Sequence, residues 1–307
     1  MICKFCGAPA REVSTGHYRC DFCSSEFCDE VVEQPKSAPA QSAPIYTKTA
    51  DDGILSGEQI YDKAIASVVE INARPNESNS VFCASGFAIS EVGLVMTNAH
   101  AVINEDGQPC KKIYVKGPNG ASYEAKIVAL GGKERGEVDL CLLYAEGLKA
   151  TACEFGDSAS LKNGQKVYLI GNSLGSGTCI TSGIISDRER KMQGIPYPYI
   201  MTDAAANQGN SGGPLLDEHG KTVGVLVAGV DGAKGMNYAI PSSVATAFVA
   251  HIVNNSDFKS SNIQSLSKYS RQYTQYADGT ALLFGGVKLA VELIEYIVNL
   301  FKRKRNK

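Results

Sequence analysis

Three side chains in this sequence could together cleave an amide bond: those of His100, Asp139 and Ser211. His100 ends the segment VMTNAH, Asp139 precedes the apolar run LCLL, and Ser211 lies in the Gly-rich turn QGNSGG. A serine hydroxyl is a poor nucleophile at neutral pH, so an imidazole has to accept its proton and later pass it to the leaving amine. A buried carboxylate fixes the imidazole tautomer and stabilises the imidazolium. The three residues therefore predict acyl transfer through a serine.

The contexts of the acidic and serine residues support this assignment. Asp106, Asp157 and Asp187 lie in Gly- or Ser-rich loops, whereas Asp139 directly precedes an apolar strand. Small residues around Ser211 let a substrate carbonyl approach and leave backbone N–H groups free to point at it. A Gly-Asn-Ser-Gly-Gly segment can also be a plain hairpin turn, so the order of all three blocks carries the prediction.

The blocks TNAH, VDLCLL and TDAAANQGNSGGPLL resemble the trypsin-fold serine endopeptidases, and especially their Deg/HtrA-like branch. The resemblance covers roughly residues 56–253. It implies an all-β core of two six-stranded antiparallel β-barrels with the active site in the cleft between them. His100 and Asp139 would come from the first barrel and Ser211 from the second. The backbone N–H groups of Gly209 and Ser211 would form the oxyanion hole.

The same resemblance implies a specificity pocket. Ala205 would lie at its floor, and Leu226, Val227 and Ala228 would offer main-chain hydrogen bonds to the substrate. We therefore expect cleavage of polypeptides, unfolded proteins among them, after small or medium aliphatic residues. Catalysis would need no cofactor. Digestive relatives carry a carboxylate just before the serine, but this chain has Asn210 there, so we expect no activation by a newly cut N-terminus.

Four cysteines near the N-terminus predict a structural zinc site. Cys3 and Cys6 form one CxxC pair, Cys20 and Cys23 form another, and thirteen residues separate the pairs. Such turns present four thiolates to one tetrahedral zinc ion, and the segment resembles a zinc ribbon. We expect residues 1–28 to depend on the metal for folding, because so short a module buries too little apolar surface alone.

Two further residues of this segment could bind metal, His17 and Cys28. Their spacing favours a surface residue and a free thiol instead. The basic residues of the ribbon, Lys4, Arg11 and Arg19, are few beside its acidic ones, and an acidic surface disfavours nucleic acid. The ribbon is therefore predicted to dock on protein partners or on a second copy of the chain, although nucleic-acid binding is kept as a weaker hypothesis.

The C-terminal segment predicts an amphipathic helix with a basic tail at residues 281–307. Its polar residues follow helical spacings and form one stripe, namely Lys288, Glu292, Glu295, Asn299 and Lys302. The residues KRKRNK follow the helix. This pattern fits a helix lying on an anionic membrane surface or docking on a partner protein. It fits equally well a helix that packs on its own protease domain or on a second copy.

The remaining segments position these elements. Residues 29–55 are a Pro-, Ala- and Ser-rich linker, and residues 254–280 are a polar linker. Between them, short apolar runs punctuated by Gly and Asn predict the strands of an antiparallel barrel or sandwich. Within residues 56–253, helices are predicted only at EQIYDKAIA and SSVATAFVAHIV. We expect no PDZ domain in residues 254–307, because they do not show strand patterns.

Composition narrows the function classes. Thirty Lys and Arg against 32 Asp and Glu give a net charge of −2, which argues against a generic polyanion binder. The N-terminus lacks a charged segment followed by an apolar one, and ten cysteines without such a signal suggest reduced thiols. Cys83 would face Ala101 where secreted relatives of the resembled family place a disulfide. We therefore expect a cytoplasmic location, with the cytosolic face of a membrane as an extension of it.

A second function fits the same residues. The barrels could form a catalytically inactive scaffold that binds peptide segments, with the ribbon and the C-terminal segment recruiting partners. The sequence also leaves homo-oligomers open.

Overall fold

The computed structural model describes residues 10–14, 17–20, 26–28, 53–75, 81–132, 137–229, 235–254 and 264–265. The chain divides into two compact units, Met1–Asp51 and Asp52–Lys307. The predicted C-terminal helix lies outside the described residues, as do Cys3, Cys6, Cys23 and the side chain of Cys20. No helix within the described ranges has the length and apolarity needed to span a membrane.

The first unit contains a small antiparallel sheet of three strands. These are β1 (Ala10–Ser14), β2 (His17–Cys20) and β3 (Glu26–Cys28), in the order β1-β2-β3. Ala10 pairs with Cys20, so the segment between the two CxxC pairs contains a β-hairpin.

The second unit begins its β-structure with a closed barrel of six antiparallel strands. Their order is β8-β7-β4-β5-β6-β9, and pairing between β8 and β9 closes the barrel. The strands are β4 (Val68–Arg74), β5 (Phe82–Ala88), β6 (Leu94–Thr97), β7 (Lys112–Lys116), β8 (Ser122–Leu130) and β9 (Cys141–Ala145).

Six further strands close a second antiparallel barrel, in the order β10-β11-β12-β15-β14-β13. They are β10 (Lys166–Asn172), β11 (Thr178–Arg190), β12 (Tyr199–Thr202), β13 (Pro214–Leu216), β14 (Thr222–Gly229) and β15 (Asn237–Pro241). The two six-stranded barrels expected from the resemblance are therefore confirmed. A short strand that the sequence did not predict, β16 (Gln264–Ser265), runs parallel to the edge of β8.

Both predicted helices of this unit are present. Helix α1 (Gly57–Ala64) begins with a capping box, in which the Ser56 hydroxyl accepts from the Gln59 N–H at 3.2 Å. The Gln59 side-chain oxygen accepts from the Ser56 N–H at 2.9 Å. These two bonds satisfy backbone donors that a helix start otherwise leaves unpaired. The helix buries Ile60 against β10 of the second barrel.

The interior is divided among the two barrels and the space between them. Val95 and Leu143 point into the first barrel, whereas the alternate residues Met96 and Leu142 pack against Phe248 of helix α2 (Ser242–Asn254). Strands β6 and β9 are thus buried on both faces, which explains their continuous apolar sequences. Two strands held so firmly make rigid supports for residues at their ends.

Candidate active site

Strand pairing in the first barrel brings His100 and Asp139 together. Thr97, the last residue of β6, pairs with Cys141, the first residue of β9. The chain leaving β6 therefore passes the chain entering β9. The Nδ1 atom of His100 lies 2.6 Å from Oδ2 of Asp139, and the His100 backbone N–H donates to Oδ1 at 2.9 Å. Both carboxylate oxygens are thus occupied by one residue.

The surroundings make the His100 imidazole more basic. Asp139 is only 9% exposed. Burial lowers the pKa of His100, but the hydrogen bond and the negative charge of Asp139 outweigh burial and raise the pKa above the ordinary 6.5. Because Nδ1 faces the carboxylate, the proton of the neutral ring belongs on Nδ1. That leaves Nε2 as the basic nitrogen.

Ser211 lies in the turn that connects β12 to β13 in the second barrel. Its side chain is close to fully buried, and the hydroxyl donates a hydrogen bond of 2.7 Å to the backbone carbonyl of Val227. A hydroxyl carries one proton, so it does not donate to His100 in this arrangement. His100 and Ser211 nevertheless line the same cavity. The structure therefore brings the three predicted residues to one place and bonds only two of them to each other.

Gly209 and Ser211 both line the cavity, and each carries a backbone N–H group. The carbonyl of Gln208 accepts from the Leu174 N–H at 2.7 Å, which fixes the peptide that carries the Gly209 N–H. In the described part of the chain, the N–H groups of Gly209 and Ser211 have no hydrogen-bond acceptor. Two unpaired donors beside a serine hydroxyl are what a developing oxyanion requires.

Gly209 has a conformation that requires glycine. Its φ angle is +96°, and a Cβ atom there would lie 2.3 Å from the carbonyl oxygen of Asn172. A side chain would therefore be strained and would also collide with backbone. The glycine lets the turn pass close to the end of β10.

The cavity has a volume of about 520 Å³. Its lining includes His100, Gly209 and Ser211. Much of its wall is apolar and comes from Val81, Phe82, Ala84, Ala101, Ile103 and Leu174. Such a surface suits the side chains and backbone of a polypeptide.

The four residues predicted to bind substrate have different environments. Leu226 is fully buried, and its N–H and carbonyl pair with Gly213 and Gly212, so its main chain is not available to a substrate. Val227 offers its carbonyl to Ser211, and Ala228 pairs with a residue of β15. Ala205 is exposed, and its carbonyl accepts from the Thr181 hydroxyl at 2.8 Å.

Two residues that the sequence did not single out contact the site. Asn98 is buried and donates through Nδ2 to the Asp139 carbonyl at 2.9 Å, which ties the chain before β9 to the chain after β6. Its position within TNAH could have suggested a structural role. Leu174 has a φ angle of +56°, and no sequence signal marked it. Among the described residues, no group of three or more His, Cys, Asp or Glu could hold a metal ion.

A family model for the trypsin-like peptidase domain matches residues 84–225, the segment that contains His100, Asp139 and Ser211. This segment is similar to trypsin-like peptidase domains. The match begins in β5 of the first barrel and ends in β14 of the second, so it spans both sides of the site.

Curated relatives of this domain are DegP/HtrA-type serine proteases. The protein named "Probable periplasmic serine endoprotease DegP-like" from Chlamydia trachomatis is 36% identical over 187 residues, which are 59% of this chain and 36% of the relative. A protein of the same name from Brucella suis is 35% identical over 184 residues, 59% of this chain and 34% of the relative. The chain spans about a third of the length of the curated relatives that it matches.

Solved structures give the same fold for this domain. The serine endoprotease from Yersinia pestis aligns with a TM-score of 0.55 at 28% identity, covering 66% of this chain and 68% of that one. The HtrA-type protease AlgW with a tripeptide aligns with a TM-score of 0.57 at 27% identity, covering 66% and 64%. The barrels therefore have the trypsin-like HtrA fold.

The predicted cytoplasmic location is wrong, because these relatives are named periplasmic endoproteases. The prediction depended partly on reduced thiols, and the structure explains why that argument failed. The described cysteines include free thiols that are buried. Burial raises the pKa of Cys141 and raises that of Cys153 to about 12. Such thiols are unreactive, so Cys141 and Cys153 do not report a reducing compartment, although Cys83 is free and exposed.

Proposed function

We propose that the chain is a serine endopeptidase that hydrolyses polypeptides through an acyl-enzyme on Ser211. The observation that carries the proposal is the cavity shared by His100, Ser211 and the unpaired N–H groups of Gly209 and Ser211, with Asp139 bonded behind the imidazole. The DegP/HtrA-type homologues and the peptidase-domain match support the same activity.

Each group has one role in the proposed reaction. The Ser211 hydroxyl leaves the Val227 carbonyl, turns to Nε2 of His100 and attacks the substrate carbonyl as its proton passes to the imidazole. The N–H groups of Gly209 and Ser211 stabilise the oxyanion of the tetrahedral intermediate. Asp139 stays ionised and stabilises the imidazolium. His100 then protonates the leaving amine, and water releases the acyl group by the same steps in reverse order.

A casein assay with matched variants tests this proposal. Fluorescently labelled casein should be degraded by the full chain, and Ser211→Ala or His100→Ala should lower the rate by about 10⁵-fold or more. Ser160→Ala and His219→Ala remove the same side chains at exposed positions and should keep the rate. Degradation that survives Ser211→Ala would exclude the proposed nucleophile. No degradation by any form would favour the inactive scaffold.

We also propose cleavage after small or medium aliphatic residues. The family resemblance implies that Ala205 lies at the specificity pocket, and its small uncharged side chain offers no partner to Lys or Arg. Sequencing the new N-termini produced from a proteome digest, with the Ser211→Ala digest subtracted, measures the preference. Cuts clustered after Ala, Val, Ile or Leu are expected. Cuts clustered after Lys, Arg or aromatic residues would contradict the assignment of Ala205.

A structural zinc ion at Cys3, Cys6, Cys20 and Cys23 remains a proposal. Support comes from the CxxC spacing and from the hairpin of β1 and β2, which ends at Cys20. Elemental analysis should find one zinc per chain, and the double variant Cys3→Ser with Cys20→Ser should lose it. Cys28→Ser, which removes a thiol outside the CxxC pairs, should retain it. Zinc content unchanged in the double variant would contradict the site.

A further inference from the structure

Ser85, on strand β5 of the first barrel, makes an unusual set of contacts with the second barrel. It is fully buried. Its hydroxyl donates to the Gly209 carbonyl at 2.7 Å and accepts from the Asn172 N–H at 2.8 Å. Its own N–H donates to the Ser211 carbonyl at 2.8 Å. One residue thus contacts both residues that carry the proposed oxyanion donors, Gly209 and Ser211.

The position of Ser85 is fixed from its own barrel. Its carbonyl accepts a 2.7 Å hydrogen bond from the Thr97 hydroxyl at the end of β6, and Thr97 is itself fully buried. The N–H, carbonyl and hydroxyl of Ser85 are therefore all used. A side chain held by these bonds keeps one orientation, because it has no alternative hydrogen-bond partner. It can therefore hold the groups that it contacts in a fixed position.

Gly209 needs such a contact because glycine has the widest backbone freedom. The Leu174 N–H fixes the peptide that precedes Gly209, through the Gln208 carbonyl. The Ser85 hydroxyl fixes the peptide that follows Gly209, through the Gly209 carbonyl. Held on both sides, the residue keeps one orientation of its N–H. The contact with Asn172 also ties this turn to the end of β10, next to Leu174.

We propose that Ser85 is a positioning residue that aligns the oxyanion donors from the opposite barrel. It does not touch the reacting atoms. The proposal rests on the proposed endopeptidase function and deepens it: the oxyanion hole is complete only when the two barrels are docked through Ser85. The enzyme is therefore active only when the two barrels are in contact at Ser85.

Two variants of Ser85 and one matched control test this role. Ser85→Ala removes the hydroxyl, and Ser85→Cys keeps a similar volume but supplies only a weak donor. The control Ser67→Ala removes another buried serine hydroxyl, one that also donates to a backbone carbonyl at 2.7 Å but lies outside this network. The casein rate, its split into kcat and KM, the rate of Ser211 labelling by a fluorophosphonate, and the unfolding temperature are measured for each.

Misaligned donors should lower kcat and the labelling rate of both Ser85 variants by about 10- to 100-fold, with KM little changed. Ser67→Ala should unfold at a lower temperature but keep the wild-type kcat and labelling rate. Cooperatively folded Ser85 variants with wild-type kcat would overturn the positioning role, as would an equal loss of kcat in Ser67→Ala. A wild-type chain that neither cleaves casein nor takes the label would instead contradict the endopeptidase function, and the role of Ser85 with it.

Discussion

The two halves of the site are prepared to different degrees. In the first barrel, His100 and Asp139 already contact each other at 2.6 Å, with a second bond through the His100 backbone. In the second barrel, the Ser211 hydroxyl contacts a carbonyl of its own barrel. The base and its carboxylate are thus preorganised by strand pairing, whereas the nucleophile has one rotation to make. A side-chain rotation is fast compared with turnover, so the rotation of Ser211 should not limit the rate of the reaction.

Breaking the first half should have the largest effect. Asp139→Asn cannot hold the imidazole in the tautomer that leaves Nε2 basic, so kcat should fall by about 10⁴-fold while the fold remains. Steady-state kinetics on a peptide substrate measure the loss. Asp157→Asn, which changes a carboxylate that caps a short turn elsewhere, is the matched control and should keep the rate. Equal activity of the two variants would remove Asp139 from the mechanism.

Substitutions in the second half of the site should lower kcat by a smaller factor. In Gly209→Ala the new Cβ would meet the Asn172 carbonyl, so the turn must move and carry its N–H with it. We expect kcat to fall by about 10²–10³-fold, the usual effect of losing one oxyanion donor. The control is Gly107→Ala, which also has a positive φ but has no atom within 4 Å of the added Cβ. A wild-type kcat in Gly209→Ala would show that this donor does not act.

The pH dependence sharpens the account of the first half. His100 must be neutral to accept a proton, so kcat/KM should rise with pH as the imidazole deprotonates. Because Asp139 raises the pKa of His100, the midpoint of this rise should lie above 6.5. A midpoint at or below 6.5 would indicate that burial, which lowers this pKa, outweighs the carboxylate.

The smallest effect is expected outside both halves. Ser56→Ala removes the N-cap of α1 and should lower the free energy of unfolding by about 1 kcal/mol, with kcat unchanged. Chemical denaturation measures the change, and Ser56→Asp, which can still cap the helix, should restore the stability. A loss of kcat in Ser56→Ala would mean that the active site depends on helix α1, although no contact between these two described segments indicates this.

Local sequence predicted the supports of the site well. The apolar runs of β6 and β9 marked His100 and Asp139 at strand ends, and the Gly-rich segment marked the turn of Ser211. Strand β11 does not show as an apolar run in the sequence, because its thirteen residues are mostly only partly buried and show no clean alternation. Strands such as β6, β9 and β10 are buried along almost their whole length, so they show in the sequence as continuous apolar runs.

Contacts between distant segments could not be predicted. The Ser85 hydroxyl bonds a carbonyl 124 residues away. The sequence near Ser85 does not predict that partner. A backbone carbonyl can accept a hydrogen bond whatever the type of residue that carries it. Leu174 illustrates the same limit, since its positive φ follows from the turn it completes. Burial raises the pKa of the Cys141 and Cys153 thiols, so these two cysteines carried no information about the compartment.

The central claim is that Ser211 is the nucleophile and His100 its base. Peptide mapping after reaction with a fluorophosphonate measures this most directly, because the probe bonds covalently to an activated serine. We expect one label per chain, on Ser211, with labelling abolished in His100→Ala and kept in His219→Ala. A label on another serine, or labelling of Ser211 that is indifferent to His100, would contradict it.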